Sequence, residues 1–289
     1  MPRAFCRWLR IDPNLFPLKS FSETPLNPKM AGSLKRAVRR LITLSQFAGF
    51  DPVVLARNLY RFPGFVKDLN RYQRLTGDPT FGAHLRDILP ILTEARQSAG
   101  SVGGDYFHQD LWAARKLFRR RPPEHIDIGS RIDGFVAHVL VFMPVHVVDI
   151  RPLNGTVAGL EFLRGDATEL KMFEDGSVAS LSSLHAAEHF GLGRYSDPID
   201  PSASTKFMMA LQRVLAPGGR LYFSVPVGRQ CVRFNAHRIF DVRTVLETFT
   251  ELELLSFSFV ASDGRLHEDT VVERAISADG CGLFEFTKL

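Results

Sequence analysis

The second half of the chain alternates short apolar runs with helical patterns. Six apolar segments predict buried strands, at 125–129, 145–150, 160–166, 177–184, 219–227 and 252–260. Helical patterns separate the first two segments and recur over 203–215 and 240–249, while residues 282–286 are expected to close the sheet. Strands that alternate with helices form right-handed βαβ units. The pattern therefore predicts an α/β fold with a doubly wound sheet.

The first hundred residues show helical periodicity without strands. Apolar residues fall at helical spacing from Ser33, which is the expected N-cap, to a stop near Gly49. Further helices are predicted over 52–60, 64–76, 81–99 and 107–120, with a glycine-rich hinge over 99–105. Residues 1–29 hold five of the seventeen prolines and no period. We therefore expect an irregular extension over 1–29, a basic helical region over 30–103 and the α/β domain over 104–289.

Charge separates the same two parts. Residues 1–123 carry a net charge of +12 and residues 124–289 a net charge of −7, which gives +5 overall. A basic surface suits nucleic acid, an anionic membrane or a phosphorylated ligand. It equally suits a helical surface that docks on an acidic neighbour. The polar face of the first predicted helix, formed by Lys35, Arg36, Arg39 and Arg40, fits either a peripheral membrane contact or packing within the protein.

Cellular location follows from what the composition excludes. No apolar run reaches the roughly 18 residues of a membrane span, and the N-terminus lacks the apolar core of a secretory signal. The cysteines, Cys6, Cys231 and Cys281, are scattered and odd in number, which argues against a disulfide framework or a structural zinc site. These features predict a cytoplasmic protein, with Met1 or Met30 as its translation start.

Acidic residues and glycine follow three successive predicted strands. Asp127 and Gly129 end the first, Asp149 the second, and Asp166 with Ala167 the third. Glycine permits a tight turn and close approach of a ligand. An acid at the second strand can accept both hydroxyls of a ribose, and the third strand end can receive an adenine amino group. The alternative for each acid is a simple turn former. Together they predict a nucleoside-binding cleft.

Four segments resemble the motifs of class I S-adenosylmethionine-dependent methyltransferases. They are DIGS (127–130), VVDIRPL (147–153), GDATEL (165–170) and LQRVLAPGGRLYFSVPVG (211–228). More narrowly, DIGSRIDGFVAHVL (127–140), SLHAAEHFGLGRYSDPID (183–200) and FNAHRIF (234–240) resemble an uncharacterised methyltransferase-like family called domain of unknown function 268. The resemblance covers about residues 104–289.

This resemblance implies a Rossmann-like, mostly parallel sheet with an antiparallel last strand and S-adenosylmethionine as cofactor. The matching cofactor-binding positions are Asp127, Gly129, Ser130, Asp149, Asp166 and Ala167. One departure concerns the usual loop Asp/Glu-x-Gly-x-Gly-x-Gly, because Arg131 and Asp133 replace its second and third glycines. The departure leaves open a non-catalytic binding module or degenerate methyltransferase. A nicotinamide-dependent enzyme is disfavoured, since Asp133 would repel a pyrophosphate.

The segment after the fourth strand carries candidate acceptor chemistry. His185 and His189 share a face if the segment is helical, and an imidazole is a suitable general base near neutral pH. We expect His185 to be the base, with Glu188 orienting an imidazole. The same spacing superficially resembles a zinc motif, but the sequence offers no obvious third ligand, so no metal is predicted. Both histidines also suit simple loop packing.

Further groups follow the fourth and fifth strands. The predicted substrate-binding residues are Arg194, Asn235, His237 and Arg238. The two arginines can grip an anionic part of an acceptor, or form surface ion pairs. Residues 105–110 are expected to cover the cofactor pocket, with Tyr106 stacking there.

These observations predict a methyltransferase that acts on a small hydroxyl acceptor such as a sugar or polysaccharide precursor. The acceptor class rests on a weak likeness of the first hundred residues to methyltransferases of surface-polysaccharide synthesis. Nucleic acid is disfavoured as a partner, because no NPPY-type tetrad follows the fourth strand and no aromatic-rich basic stripe is present. The sequence leaves the oligomeric state open.

Overall fold

The computed structural model describes residues 41–42, 44–46, 48–76, 79–94, 99–100, 102–276 and 278–289. The chain divides into two compact units, Met1–Gly100 and Ser101–Leu289, and each is described by itself. The predicted cap at Ser33 and the predicted basic face of Lys35, Arg36, Arg39 and Arg40 lie outside the described residues. Of the described helices, none combines the length and the apolar character that crossing a membrane requires.

The described part of the first unit includes the long helix α1 (Pro52–Leu75). Asp51 caps it, since its Oδ1 accepts hydrogen bonds from the backbone N–H groups of Val53 and Val54 at 2.9 and 3.1 Å. Two helices were expected here, with a break before Gly64, and that expectation is wrong. Pro63 lies inside α1. A proline removes only one backbone hydrogen bond, so the rest of the ladder can continue past it.

The predicted helix over 81–99 is also wrong. The segment forms two short 3₁₀ turns, Pro79–Phe81 and Leu85–Asp87, followed by irregular backbone up to residue 94. Pro90 disfavours helical backbone at the residue before it. The apolar side chains that gave the helical period are largely exposed, with Leu85 at 84% and Leu89 at 78%. A helical period without burial does not stabilise a helix.

The described strands of the second unit are β1 (Ile126–Ile128), β2 (Val145–Asp149), β3 (Leu160–Arg164), β4 (Val178–Leu184), β5 (Leu215–Val227), β6 (Cys231–Arg233), β7 (His237–Ile239), β8 (Leu252–Ala261), β9 (Leu266–His267) and β10 (Gly280–Lys288). Eight of them form one sheet in the order β3-β2-β1-β4-β5-β10-β8-β9. Strands β1 to β5 pair in parallel, and β10 is antiparallel to both β5 and β8. This order confirms the predicted doubly wound sheet with an antiparallel last strand.

Helices cover both faces of this sheet. Apolar side chains of α4, α5 and α6 pack with Leu221 and Phe223 on one face, while those of α2 and α3 pack with Tyr222 on the other. The alternation within β5 follows from the two-residue period of a strand. The helices are α2 (Asp105–Arg120), α3 (Ala137–Leu140, after a π-helical turn at Ile132–Val136), α4 (Ala203–Val214), α5 (Val242–Thr248) and α6 (Glu273–Ile276).

The sheet differs from the predicted one in three details. Strand β5 begins at Leu215 and contains the Pro217–Gly219 segment as a bulge, with Gly218 at φ 71°. Strand β10 lies between β5 and β8, so the short β9 forms the edge. Strands β6 and β7 pair as a separate hairpin. The sequence pattern missed β6, β7 and β9 because each has only two or three residues.

The winding direction reverses at β1, with β2 and β3 on one side and β4 and β5 on the other. In such sheets ligands bind outside the carboxyl ends of the strands beside this reversal. The fold therefore brings the residues that follow β1, β2, β3 and β4 to one crevice.

Candidate functional site

A cavity of about 310 Å³ opens at this crevice, and we call it the strand-end cavity. It is lined by residues that follow four strands: Gly129 after β1, Asp149 at the end of β2, Asp166 and Ala167 after β3, and His185 after β4. The structure thus brings together five of the residues singled out in the sequence.

Gly129 forms a tight turn in the wall of the strand-end cavity. Its φ of 73° lies in the left-handed region, and its N–H donates to the Val148 carbonyl at 3.0 Å. A Cβ at this position would lie 3.1 Å from the Cβ of Ala186. Both the backbone conformation and the space favour glycine.

Asp127 and Ser130 were predicted to bind cofactor, but neither lines the strand-end cavity. The buried Asp127 carboxylate accepts from the Ser130 N–H at 3.0 Å and from the Ser130 hydroxyl at 2.6 Å. The Ser130 Oγ in turn accepts from the Leu184 N–H at 3.0 Å. Burial raises the pKa of Asp127 to about 6. These hydrogen bonds fix the loop after β1 to the end of β4. Asp127 and Ser130 therefore position the cavity wall without lining it.

The buried His125, which directly precedes β1, extends this network to two serines of β4. His125 Nδ1 lies 2.8 Å from Ser180 Oγ, and its Nε2 lies 2.9 Å from Ser182 Oγ. The Ser182 hydroxyl donates to Asp127. Burial lowers the pKa of His125 to about 3, so the ring is neutral. Sequence reasoning missed this network because its serines look like ordinary strand residues.

Asp149, the predicted ribose ligand, is already engaged by Arg151. The Arg151 Nε and backbone N–H donate to Asp149 Oδ1 at 2.9 and 2.8 Å. The Arg151 guanidinium also lies 4.7 Å from the ring centroid of Tyr195. Both Arg151 and Tyr195 line the strand-end cavity, and neither was singled out in the sequence. A diol at Asp149 therefore competes with a guanidinium.

The end of β3 is arranged as an Asx turn. Asp166 Oδ1 accepts from the N–H and the hydroxyl of Thr168 at 2.8 and 2.6 Å. The turn holds the exposed Asp166 at the rim, while Ala167 is buried in the wall.

His185 lies where the strand-end cavity meets a second cavity, and it lines both. Its backbone is left-handed, at φ 51°, and its N–H donates to the Ser224 carbonyl at 3.0 Å. Its ring packs edge-to-face on Tyr106, with centroids 5.1 Å apart. Within the described part of the chain, neither ring nitrogen has a hydrogen-bond partner. Burial lowers the pKa of His185 to about 3, so the imidazole is neutral at every working pH.

The second cavity measures about 500 Å³, and we call it the hairpin cavity because the β6–β7 hairpin forms one wall. Helix α2 contributes Tyr106 at its first turn, which agrees with the expected position of that residue beside the cofactor pocket. Three residues line both cavities: Tyr106, His185 and His189.

Glu188 and His189 lie on a 3₁₀ turn at Ala187–His189. His185 precedes this turn, so the predicted shared helical face of His185 and His189 is wrong. Glu188 is 2% exposed, and its Oε2 lacks a hydrogen-bond partner among the described residues. Burial raises the pKa of Glu188 to about 8 and lowers that of His189 to about 4. His189 Nδ1 lies 2.8 Å from the Ala236 carbonyl oxygen, and its Nε2 lies 3.6 Å from Glu188 Oε1.

The predicted substrate-binding residues separate in the structure. Arg194 and His237 line the hairpin cavity, together with Arg233, which sequence reasoning missed. Asn235 is exposed between β6 and β7 and lines neither cavity. Arg238 is buried, and its guanidinium donates to the Phe190 and Pro201 carbonyls at 2.5 and 3.3 Å. It therefore holds two loops together rather than facing a ligand.

The described residues contain no group of three histidine, cysteine or carboxylate side chains close enough to hold a metal ion. His185 and His189 thus lack a third ligand in this part of the chain.

The sheet order and the strand-end cavity define a Rossmann-like, doubly wound fold with its crevice at the carboxyl ends of the parallel strands. Residues 165–268 match the family model described as "Caenorhabditis protein of unknown function, DUF268", which agrees, over that segment, with the narrower of the two resemblances found in the sequence. No curated protein matches this chain.

Three solved structures are similar to the chain at low sequence identity. The [4+2]-cyclase SpnF is 15% identical, over 64% of this chain and 83% of its own, with a TM-score of 0.47. N-methyltransferase NodS from Bradyrhizobium japonicum WM9, in complex with S-adenosyl-L-homocysteine, is 14% identical over 77% and 97%, with a TM-score of 0.45. The YcgJ protein from Bacillus subtilis is 15% identical over 63% and 98%, with a TM-score of 0.44.

Proposed function

We propose that this protein is an S-adenosylmethionine-dependent methyltransferase that acts on a hydroxyl group of a small acceptor, such as a sugar or a polysaccharide precursor. The observation that carries the proposal is the junction of two cavities at Tyr106, His185 and His189. One cavity offers strand-end groups that suit a nucleoside. The other offers uncharged polar groups that suit an acceptor.

The groups that line the strand-end cavity suit the cofactor. Asp149 would accept ribose hydroxyls, Asp166 and Ala167 would meet the adenine, and Gly129 leaves the space that a side chain would fill. The cofactor supplies an electrophilic methyl group on a sulfonium and carries no phosphate. The altered loop is compatible with such a ligand, because Arg131 and Asp133 pair with each other at 2.9 Å between Nη2 and Oδ2.

The hairpin cavity offers uncharged hydrogen-bonding groups that suit a hydroxyl. At neutral pH the His185 ring is neutral and the Glu188 carboxyl is protonated, so each side chain can donate and accept without charge. A hydroxyl also both donates and accepts, and therefore matches either group.

His185 is the residue best placed to handle the acceptor proton. An unpartnered imidazole nitrogen can accept a hydrogen bond from the acceptor hydroxyl and hold it in line for attack. Its low pKa makes it a weak base, so we expect it to take the proton only as positive charge develops on the acceptor oxygen.

A non-catalytic or degenerate binding protein is the second candidate. It is favoured by the Arg151 guanidinium on Asp149 and by the two replaced loop glycines. Calorimetric titration with S-adenosylmethionine and S-adenosylhomocysteine, followed by transfer of a labelled methyl group to a panel of hydroxyl acceptors, separates the two. Binding with transfer supports the methyltransferase, and binding without transfer to any acceptor supports the second candidate. Failure of both compounds to bind would contradict the methyltransferase proposal.

A further inference from the structure

We propose that the molecule bound in the hairpin cavity carries an anionic group, a carboxylate or a phosphate, which Arg194 and Arg233 hold. The inference deepens the proposed function and rests on it, because it takes this molecule to be the methyl acceptor.

Three basic side chains converge on the hairpin wall of the cavity. Arg233 and His237 are cross-strand neighbours in the β6–β7 hairpin. Arg194 reaches the same hairpin from the loop after β4, since its Nη1 donates to the Ala236 carbonyl at 3.0 Å. All three line the cavity. Burial and the fields of both arginines lower the pKa of His237, as expected if the three groups are close in space.

The two arginines differ from those at the rim of the strand-end cavity. Arg131 pairs with Asp133 and Arg151 pairs with Asp149. Arg194 and Arg233, by contrast, make no ion pair with any described carboxylate. The hairpin wall thus presents two guanidinium groups that no described carboxylate pairs with.

The acidic residues of the cavity come from other elements. Asp105 begins α2, and Asp279 immediately precedes β10. Asp279 lies beside Gly228, since a Cβ added to Gly228 would lie 2.3 Å from Asp279 Oδ1. Glu188 is protonated at neutral pH. The negative charge is therefore carried by elements other than the hairpin wall.

A guanidinium is well suited to the proposed contact. It has five N–H donors in a planar fork that matches carboxylate and phosphate oxygens. Arg194 uses one of its nitrogens on Ala236 and packs over Tyr195 with its guanidinium carbon 5.3 Å from the ring centroid, which fixes its position. The cavity is then polarised. Uncharged groups at the junction face the reacting hydroxyl, and the arginines face the charged end of the acceptor.

Three sugars that share the glucose ring but differ in charge test the inference. Glucose, glucuronate and glucose 6-phosphate are titrated calorimetrically into the full-length protein, with and without saturating S-adenosylhomocysteine. One or both charged sugars should bind about tenfold or more tightly than glucose, as expected for hydrogen bonds to charged groups. The arm that binds more tightly identifies carboxylate or phosphate. Equal affinity for all three sugars, or no binding of either charged sugar, would overturn the inference.

Arg233→Gln is the discriminating variant, because Arg233 lies on the exposed hairpin without an ion-pair partner in the described structure. It should weaken charged-sugar binding about tenfold and leave glucose binding unchanged, while Arg233→Lys should retain part of the affinity. Arg229→Gln is the matched control, an exposed arginine of the preceding loop that does not line the cavity. Equal losses in the Arg229 and Arg233 variants would indicate nonspecific attraction and overturn the inference.

The same titrations keep the two proposals apart. S-adenosylhomocysteine binding tests the strand-end cavity and should be the same in wild type and Arg233→Gln. Anion selectivity without S-adenosylhomocysteine binding would contradict the proposed function and leave the anion site established. S-adenosylhomocysteine binding without anion selectivity would contradict the anion site and leave the proposed cofactor site supported.

Discussion

The two cavities are built in different ways although they share three residues. The strand-end cavity takes its groups from positions that the sheet fixes, one strand end after another. The hairpin cavity is assembled from α2, the loop after β4, a hairpin and the start of β10. A regular sheet can preserve a nucleoside site while loops and hairpins change the second ligand.

Their electrostatics differ as well. The charged groups of the strand-end cavity are largely paired, as in Arg151 with Asp149 and Lys206 with Asp200. In the hairpin cavity, by contrast, His185 and Glu188 are buried without full hydrogen bonding among the described residues. Leaving buried polar atoms unpaired is unfavourable. We infer that the ligand completes this part of the site.

Removing the imidazole of His185 should have the largest effect. His185→Ala should slow methyl transfer by about 10²-fold, the low end of the range for proton transfer, since the acceptor hydroxyl loses its hydrogen-bond acceptor and a weak base. The affinity for S-adenosylhomocysteine should stay nearly unchanged. Single-turnover rates with a working acceptor and calorimetry measure the two effects.

A second variant controls for the backbone of His185. His185→Asn also lacks the imidazole but tolerates the left-handed φ of 51°, so it should be folded and equally slow. A wild-type rate in either variant would leave methyl transfer standing as a proximity mechanism. The pH profile differs from the apparent pKa near 6–7 that an ordinary histidine base predicts. With the pKa of His185 at about 3, this residue should cause no loss of rate between pH 8 and pH 5.

Changes in the strand-end cavity should affect the cofactor instead. Asp149→Ala should weaken S-adenosylhomocysteine binding by roughly 2–4 kcal/mol, because two ribose hydroxyls lose a charged acceptor. Gly129→Val should block binding through space, with no change of charge. Both should leave charged-sugar binding in the hairpin cavity intact. Unchanged cofactor affinity in a folded Asp149→Ala protein would remove the ribose assignment.

The way in which each cavity is built determines how much of it the sequence predicts. The α/β fold and the positions of Gly129, Asp149 and Asp166 are predictable because strand ends in a parallel sheet meet at one edge. The pairing of Asp149 with Arg151 was missed, although the two residues are only two positions apart. An acid two residues before an arginine at a strand end is a local signal that could have indicated it.

The hairpin cavity was less predictable because its geometry is tertiary. Arg233 and His237 meet through a hairpin whose two strands have three residues each, too short to give a pattern. Arg238 resembled a ligand residue, but its burial and its carbonyl partners arise only once the loops at Phe190 and Pro201 have packed. Likewise Asp127 and Ser130 match a cofactor motif in sequence and point into a buried network in the structure.

The raised pKa of Glu188 should make stability fall as pH rises. The unfolded carboxyl titrates near 4.5 and the folded one near 8, so the unfolded state releases its proton first. Stability should therefore decrease between about pH 4.5 and pH 8 and level off above. Glu188→Gln should remove this component and raise stability at pH 8 by about 1–3 kcal/mol.

Urea unfolding at pH 5 and pH 8 measures this effect. The control Glu253→Gln changes an exposed glutamate of β8 and should keep the wild-type pH dependence. Asp127, with its pKa raised to about 6, adds a component of the same sign in every variant. If Glu188→Gln showed the same pH dependence as wild type, the assignment of a protonated buried carboxyl at the junction would be wrong.

The smallest expected effect concerns Arg151, and its sign decides how the cofactor site works. If Arg151 must leave Asp149 before ribose hydroxyls bind, Arg151→Ala should tighten S-adenosylhomocysteine binding. The gain should be at most about 1 kcal/mol, since half-exposed ion pairs contribute little. A loss of affinity would instead assign Arg151 to the ligand, through its stacking on Tyr195. Arg119→Ala, an exposed arginine of α2 outside the cavity, is the control for general charge. An increase confined to Arg151→Ala would identify Arg151 as a built-in competitor of the nucleoside for the Asp149 carboxylate.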